Sequence, residues 1–207
     1  MRHIHKSAQE PQALADWKSM ASPDWQPAYA NMPSHVKREL KRLLMKDQQG
    51  LCCYCESRLR DNDSHIEHFR PQTSYPELSL DFQNLLCSCQ SNLRKGEPCH
   101  CGNAKGNWFD ETLLISPLSP DCASRFRFTG DGHIHPADTH DQAARETIAH
   151  LNLDIPKLVA RRQAALDTFL DPNLSDEDFS LFLQQCLSPD SEPPEYISAI
   201  RSVFLDH

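Results

Sequence analysis

The stretch from Leu51 to Pro71, LCCYCESRLRDNDSHIEHFRP, carries the two features on which the reading of the fold turns: Cys52 and Cys55 in a Cys-x-x-Cys spacing, and Glu67-His68 just before a proline. Cys-Cys-Tyr-Cys is compact enough for two thiolates on one turn to reach a single ion at about 2.3 Å each, the zinc–sulfur distance. A tetrahedral zinc needs two more ligands, and the later cysteines supply candidates. Seven of the nine cysteines lie between Cys52 and Cys101. In a reducing compartment such clustering favours a metal site over disulfides. The other fate of a cysteine, a buried thiol serving as a small apolar side chain, suits isolated residues better.

Between Leu51 and Asp110 there is little helical periodicity. Leu51 to Ser57 and His65 to Arg70 read as short strands among turn-rich stretches. A segment this poor in aliphatic residues needs another source of stability, which a bound ion supplies. Side chains alternate faces along a strand, so Glu67 and His68 point the same way only where the strand twists or ends, and Pro71 marks such an end. His65 reads as an ordinary strand residue. A histidine beside a carboxylate, with Asn84 downstream and a second oxygen ligand on a following helix, is equipment for metal-assisted hydrolysis of a phosphodiester. The imidazole takes a proton from water, and the oxygen ligands hold a hard divalent ion against the phosphate.

The chain around this stretch has 207 residues, 39% of them hydrophobic, with 15 prolines against 6 glycines. That length buries a real core and allows one domain with appendages or two small ones. No run approaches the roughly 18 apolar residues of a membrane span, and the opening MRHIHKSAQEPQ lacks the apolar centre of a signal peptide, so a cytoplasmic location is expected. The formal net charge is −8, unevenly spread. Residues 1–110 hold 14 Lys and Arg against 13 Asp and Glu, a balance of +1, and residues 111–207 hold the other 7 against 16, a balance of −9. Whole-chain acidity therefore says little about what the first half binds.

Upstream, three prolines among Trp17, Trp25 and Tyr29 suggest an extended arm with a helical turn near Ala13 to Met20, packed through its aromatics. Ser34 to Gln49 is helical, with Val36, Leu40, Leu43 and Leu44 on one face, Lys37, Arg38, Lys41, Arg42 and Lys46 around the rest, and Gly50 as a stop. Its basic face is either simply solvated or a phosphate-contacting surface. Downstream, Leu113 to Ser116 and Arg125 to Thr129 read as strands, the second turning through Gly130-Asp131-Gly132 into His133-Ile134-His135. Helices are expected over Asp141 to Leu151, Pro156 to Leu170, Asp176 to Leu187 with Ser175 as cap, and Glu195 to Leu205.

Four strings taken together resemble a known family: Cys52-x-Tyr54-Cys55-Glu56, Ile66-Glu67-His68-Phe69-Arg70-Pro71, Asn84-Leu85-Leu86-x-Ser88-Cys89 and His100-Cys101-Gly102-Asn103-Ala104-Lys105-Gly106. They are similar to zinc-knuckle HNH endonucleases, and more closely to the PtuB-like HNH proteins that accompany RecF-like ATPases in Septu and retron anti-phage defence. The likeness continues through Leu114 to Leu118, Cys122, Arg125-Phe126, Gly132-His133-Ile134 and Thr147 to Leu153, so it covers most of the chain. It implies an α+β fold. An N-terminal arm (1–33) would precede a small zinc-knuckle ββα-metal core (34–110), and a hairpin with a helical, partner-docking region (111–207) would follow.

Carried over residue by residue, the resemblance makes His68 the general base and Glu67 a ligand of a catalytic Mg²⁺ or Mn²⁺ in place of the commoner Asp. Asn84 becomes the middle residue of the triad, and Asn103 both its third member and an ion ligand. Structural zinc falls to Cys52, Cys55, Cys89 and Cys101. Eleven residues, Gln90 to His100, separate the last two and depart from the simple pattern, so Cys99 and His100 compete for the fourth zinc position and the third triad position shifts by a residue or so. Arg70 and Lys105 are either phosphate contacts or surface charges. The expected partners are a PtuA-like ATPase, since this chain has no G-x-x-x-x-G-K-[ST] of its own, a DNA or tRNA substrate and, in retron systems, a reverse transcriptase with its noncoding DNA or RNA. No membrane is expected. Two other readings remain: a non-catalytic zinc knuckle that only binds nucleic acid, and a zinc-stabilised interaction subunit.

Overall fold

In the computed structural model, which describes residues 1–170, 175–188 and 191–205, the first helix, α1 (Gln12–Ser19), buries Leu14 and Trp17. Trp25 stays exposed and meets Trp17 edge-on, with ring centroids 6.1 Å apart. Helix α2 (Ser34–Asp47) buries Val36, Leu40 and Leu44, the stripe that a four-residue spacing puts on one face. It packs on α1 and on the central hairpin. Gln48, just past its end, is fully buried. Its amide nitrogen donates to the carbonyls of Leu51 and Cys87, each at 2.8 Å, while its oxygen accepts from Cys87 N at 2.7 Å. One side chain thereby joins helix, turn and strand and leaves none of its own polar atoms unpaired.

The centre of the molecule is a ββα unit. Strands β1 (Ser64–His68) and β2 (Leu85–Cys89) run antiparallel, with Ser64 opposite Cys89 and His68 opposite Leu85, and the short helix α3 (Gly102–Lys105) follows. Leu51 to Ser57 forms a tight turn instead of the expected strand. Cys52 N donates to Ser57 O at 2.8 Å and Glu56 N to Cys52 O at 3.1 Å, leaving only a single bridge between Leu51 and Arg58.

A second hairpin, β3 (Phe126–Phe128) with β4 (Ile134–Pro136), is followed by the helices α4 (Gln142–His150), α5 (Pro156–Asp167), α6 (Asp176–Cys186) and α7 (Ile197–Phe204), and packs against α4 and α7. Gly132 at its turn has φ of +86°, and a Cβ there would lie 2.4 Å from the carbonyl oxygen of Val159 on α5, so only glycine lets the turn approach that helix. Leu113 to Ser116 is not a strand. Leu114 and Ile115 are buried in a turn, and the Thr147 hydroxyl takes the place of a partner strand by accepting from Ile115 N and donating to Leu113 O. A single apolar cluster draws on Met1 and Ile4 near one end of the chain and on Tyr196, Ala199 and Ile200 near the other.

Candidate active site and metal centres

The four cysteines Cys52, Cys55, Cys89 and Cys101 are all buried, and their sulfurs lie within 4.8 Å of one another. The Cys55 and Cys89 sulfurs are 3.7 Å apart, close to the edge of about 3.8 Å that a tetrahedron with 2.3 Å bonds requires. The set fits a structural zinc. Four thiols in one dry space resist joint ionisation: burial opposes the charged form at Cys52, where hydrogen bonds from Cys101, Cys53 and their neighbours still hold the thiol well below its ordinary range, while burial and the same contacts push Cys101 well above it. A cation resolves that conflict.

The eleven-residue insertion does not separate the ligands, because Gln90 staples its base: the side chain accepts from His100 N at 2.9 Å and donates to Pro98 O at 3.2 Å. Cys99 is only partly buried and lies outside the cluster. His100 is fully buried with Nδ1 3.1 Å from Cys101 Sγ, and it too lies outside the set of four. Glu56, Gln90 and Cys101 all adopt positive φ, at 65°, 66° and 58°. This left-handed backbone is uncommon for non-glycine residues, and it turns the chain beside the thiols.

Alternation along β1 puts His65 and Glu67 on one face. Glu67 is 6% exposed. Its Oε1 accepts from Tyr54 Oη at 3.2 Å and pairs with Lys105 Nζ at 2.9 Å, and its Oε2 lies 3.7 Å from His65 Nε2. Lys105, at 3% exposed, also donates to the carbonyl of His68. It is turned inward from α3, away from any phosphate arriving from solvent. The α3 residue that faces Glu67 is Gly102: a Cβ there would sit 2.4 Å from Glu67 Oε2 and 2.9 Å from His65 Nε2. Asn103 is exposed, and its amide donates to Gln90 O at 2.5 Å. The structure thus brings Glu67 together with His65 and Lys105, and leaves Asn103 tied to the insertion loop. Gly102 opens a cradle beside a carboxylate oxygen and an imidazole nitrogen, which fits a divalent ion.

His68, at the end of β1, faces the opposite way. Its ring meets Tyr29 edge-on at 4.6 Å, Nε2 lies 3.0 Å from Ser79 O, and Nδ1 lies 3.2 Å from the Gln72 amide nitrogen. A carbonyl partner assigns the proton to Nε2 and leaves the Nδ1 lone pair as a base. Burial holds the pKa below the ordinary histidine value, against the raising effects of the Ser79 carbonyl and Glu67. Asn84 does not touch this ring. Its Oδ1 accepts from Arg70 N at 2.8 Å, and its Nδ2 donates to Arg70 O and Leu78 O at 3.0 and 3.1 Å, so it fixes the backbone on both sides of the imidazole. Arg70 is partly exposed, pairs with Glu111 and lines a cleft of about 400 Å³ with Asn84 and Phe69. A separate cleft of about 460 Å³ is lined by Tyr29, Lys37, Arg38, Lys41 and His65.

A β-hairpin whose first strand ends in Glu-His, a following short helix and a four-thiol clamp agree with what comparison with known proteins finds. The chain is 30% identical over 142 residues, 65% of its length and 67% of the relative's, to a protein of Vibrio cholerae serotype O1 biovar El Tor named as a putative HNH endonuclease of retron Vc95. The chain belongs to the HNH endonuclease family of the Septu and retron defence type. Against the Septu protein PtuB of Bacillus thuringiensis, this HNH chain is 38% identical over 63 residues, which make up 29% of the chain and 24% of that protein. No family model matches it. Sequence reasoning about this HNH site passes over His65, although the H-x-E spacing at residues 65 and 67 is signal enough, since a two-residue step on a strand returns to the same face. Among the described residues no helix is long and apolar enough to cross a membrane.

Proposed function

We propose that this chain is a metal-dependent HNH endonuclease that cleaves nucleic-acid phosphodiester bonds by water, as the effector nuclease of an anti-phage defence complex. The observation that carries this reading is His68, held by a backbone carbonyl on one ring nitrogen and covered on the other only by the Gln72 amide, at the end of a strand in which the preceding residue is a buried carboxylate. His68 Nδ1 takes the proton of the attacking water once the Gln72 amide moves aside. Asn84 holds the Arg70 and Leu78 backbone and thereby positions the imidazole. Glu67 would hold the catalytic Mg²⁺ or Mn²⁺, and the ion when bound supplies positive charge to the scissile phosphate and the leaving oxygen. The basic residues Lys37, Arg38 and Lys41 along the cleft beside His65 are suited to the phosphate backbone, and Arg70, in the separate cleft with Asn84, would contact phosphate on leaving Glu111. Cys52, Cys55, Cys89 and Cys101 bind structural zinc.

Substitution His68→Ala is expected to lower cleavage of plasmid DNA or tRNA by about 10²–10⁴-fold with zinc content and melting unchanged. Wild-type cleavage in that variant rules out the base assignment, and binding without metal-dependent cleavage by the wild type selects the non-catalytic zinc-knuckle reading. A PtuA-like ATPase is the proposed partner for the acidic helical half, with a reverse transcriptase and its noncoding nucleic acid joining in a retron setting. Deleting residues 141–207 is a poor test of that docking, because Tyr196 N bonds Glu56 O beside the cysteine turn and Leu158 and Ile200 belong to the common core. Reversing the exposed Asp167 and Glu177 to lysine and measuring ATPase co-purification is the cleaner one; retention of the ATPase would exclude that face.

A further inference from the structure

We infer that His65 is the second protein ligand of the catalytic cation, supplied by β1 in place of a side chain from the following helix, and that the site consequently favours Mn²⁺ over Mg²⁺. This rests on the nuclease reading above and specifies its ion site. Glu67 Oε1 is already engaged by Lys105 and Tyr54, which leaves Oε2 as the coordinating oxygen. His65 Nε2 stands 3.7 Å from that Oε2, too far for a hydrogen bond. It is nevertheless within the roughly 4.2 Å that two metal–ligand bonds of about 2.1 Å can span. The space between and beside them exists because residue 102 is glycine, since a Cβ there would contact both atoms at 2.4 and 2.9 Å.

The helix therefore contributes room at the point nearest Glu67, and its Asn103 is occupied by the Gln90 carbonyl. The side chain of His65 is 26% exposed and lines the cleft bordered by Lys37, Arg38 and Lys41. The remaining coordination positions thus open toward solvent and toward a phosphate. An imidazole ligand suits Mn²⁺ and its heavier neighbours better than Mg²⁺, which prefers an all-oxygen shell.

The test uses the full, zinc-loaded chain with Mn²⁺ added. Pulsed electron paramagnetic resonance is expected to detect a directly bound nitrogen, and His65→Asn should abolish that nitrogen signal and weaken Mn²⁺ binding by at least about tenfold with a smaller effect on Mg²⁺. Glu67→Gln should abolish specific binding of both ions. Wild-type Mn²⁺ bound without nitrogen coupling, or equal Mn²⁺ affinity in His65→Asn, overturns the inference. If Glu67→Gln loses the ion while His65→Asn keeps it, the inference fails and the nuclease reading stands. If wild-type protein shows no metal-dependent cleavage, that broader reading fails instead. Should His65→Asn not fold, the wild-type nitrogen signal decides by itself, and Gly102→Ala, which fills the cradle, is expected to reduce Mn²⁺ affinity.

Discussion

Glu67 and Lys105 form a pair with almost no access to water, at 8% and 1% side-chain exposure and 2.9 Å apart. Taking away one member of such a pair leaves a stranded charge, at a typical cost of about 3–5 kcal/mol. Lys105→Met is therefore expected to lower the free energy of unfolding by that order in denaturant titrations. The deficit should shrink when Mn²⁺ is added, because the ion then neutralises the same carboxylate. An undiminished deficit at saturating Mn²⁺ would argue that no ion reaches Glu67. Glu67 and His68 are legible in the sequence alone, being adjacent to each other and shortly followed by Pro71. The inward turn of Lys105 is not, since a lysine at a helix end is usually solvated and its burial depends on what the hairpin presents to it.

Helix α4 begins at a cap that serves two elements. Asp141 accepts from Ala144 N at 2.9 Å and also receives the Arg125 guanidinium, one nitrogen of which lies 2.6 Å from Oδ1. Asp141→Ala removes both contacts and is expected to cost about 1–2 kcal/mol. Arg125 holds the Asp141 carboxyl below the usual aspartate range. The unfolded chain then binds the proton more readily, so the contribution is full above the ordinary aspartate value and fades as pH falls through the lowered one. Thermal melts of wild type and variant should accordingly converge toward strong acid and stay apart at neutral pH. The four later helices are readable from their periodicity and caps. β2 is harder: all five of its residues are buried, so it shows no alternation, the usual mark of a half-solvated strand. Leu113 to Ser116 misleads the other way, its apolar run being buried as a turn by Thr147.

Across the whole molecule, the cysteine set ties the turn after α2, the end of β2 and the start of α3 to one point. Structural zinc couples about 10 kcal/mol or more to folding in small domains, comparable with the entire net stability of a typical one. Cys101→Ala should lose the zinc equivalent and the cooperative melt, whereas Cys99→Ala should keep both, as read by metal analysis and calorimetry. Loss of zinc from the Cys99 variant alone would move the fourth ligand. The α+β class, the helix faces, the Cys-x-x-Cys turn and the Glu-His pair are determined by the order of residues, because spacing and periodicity are properties of short windows. That Gly102 instead of Asn103 meets Glu67, and that Cys101 closes the thiolate set across an eleven-residue insertion, come from strand register and burial. Those arise only when distant segments pack, since contacts across a hairpin and helix depend on how the whole chain fills space.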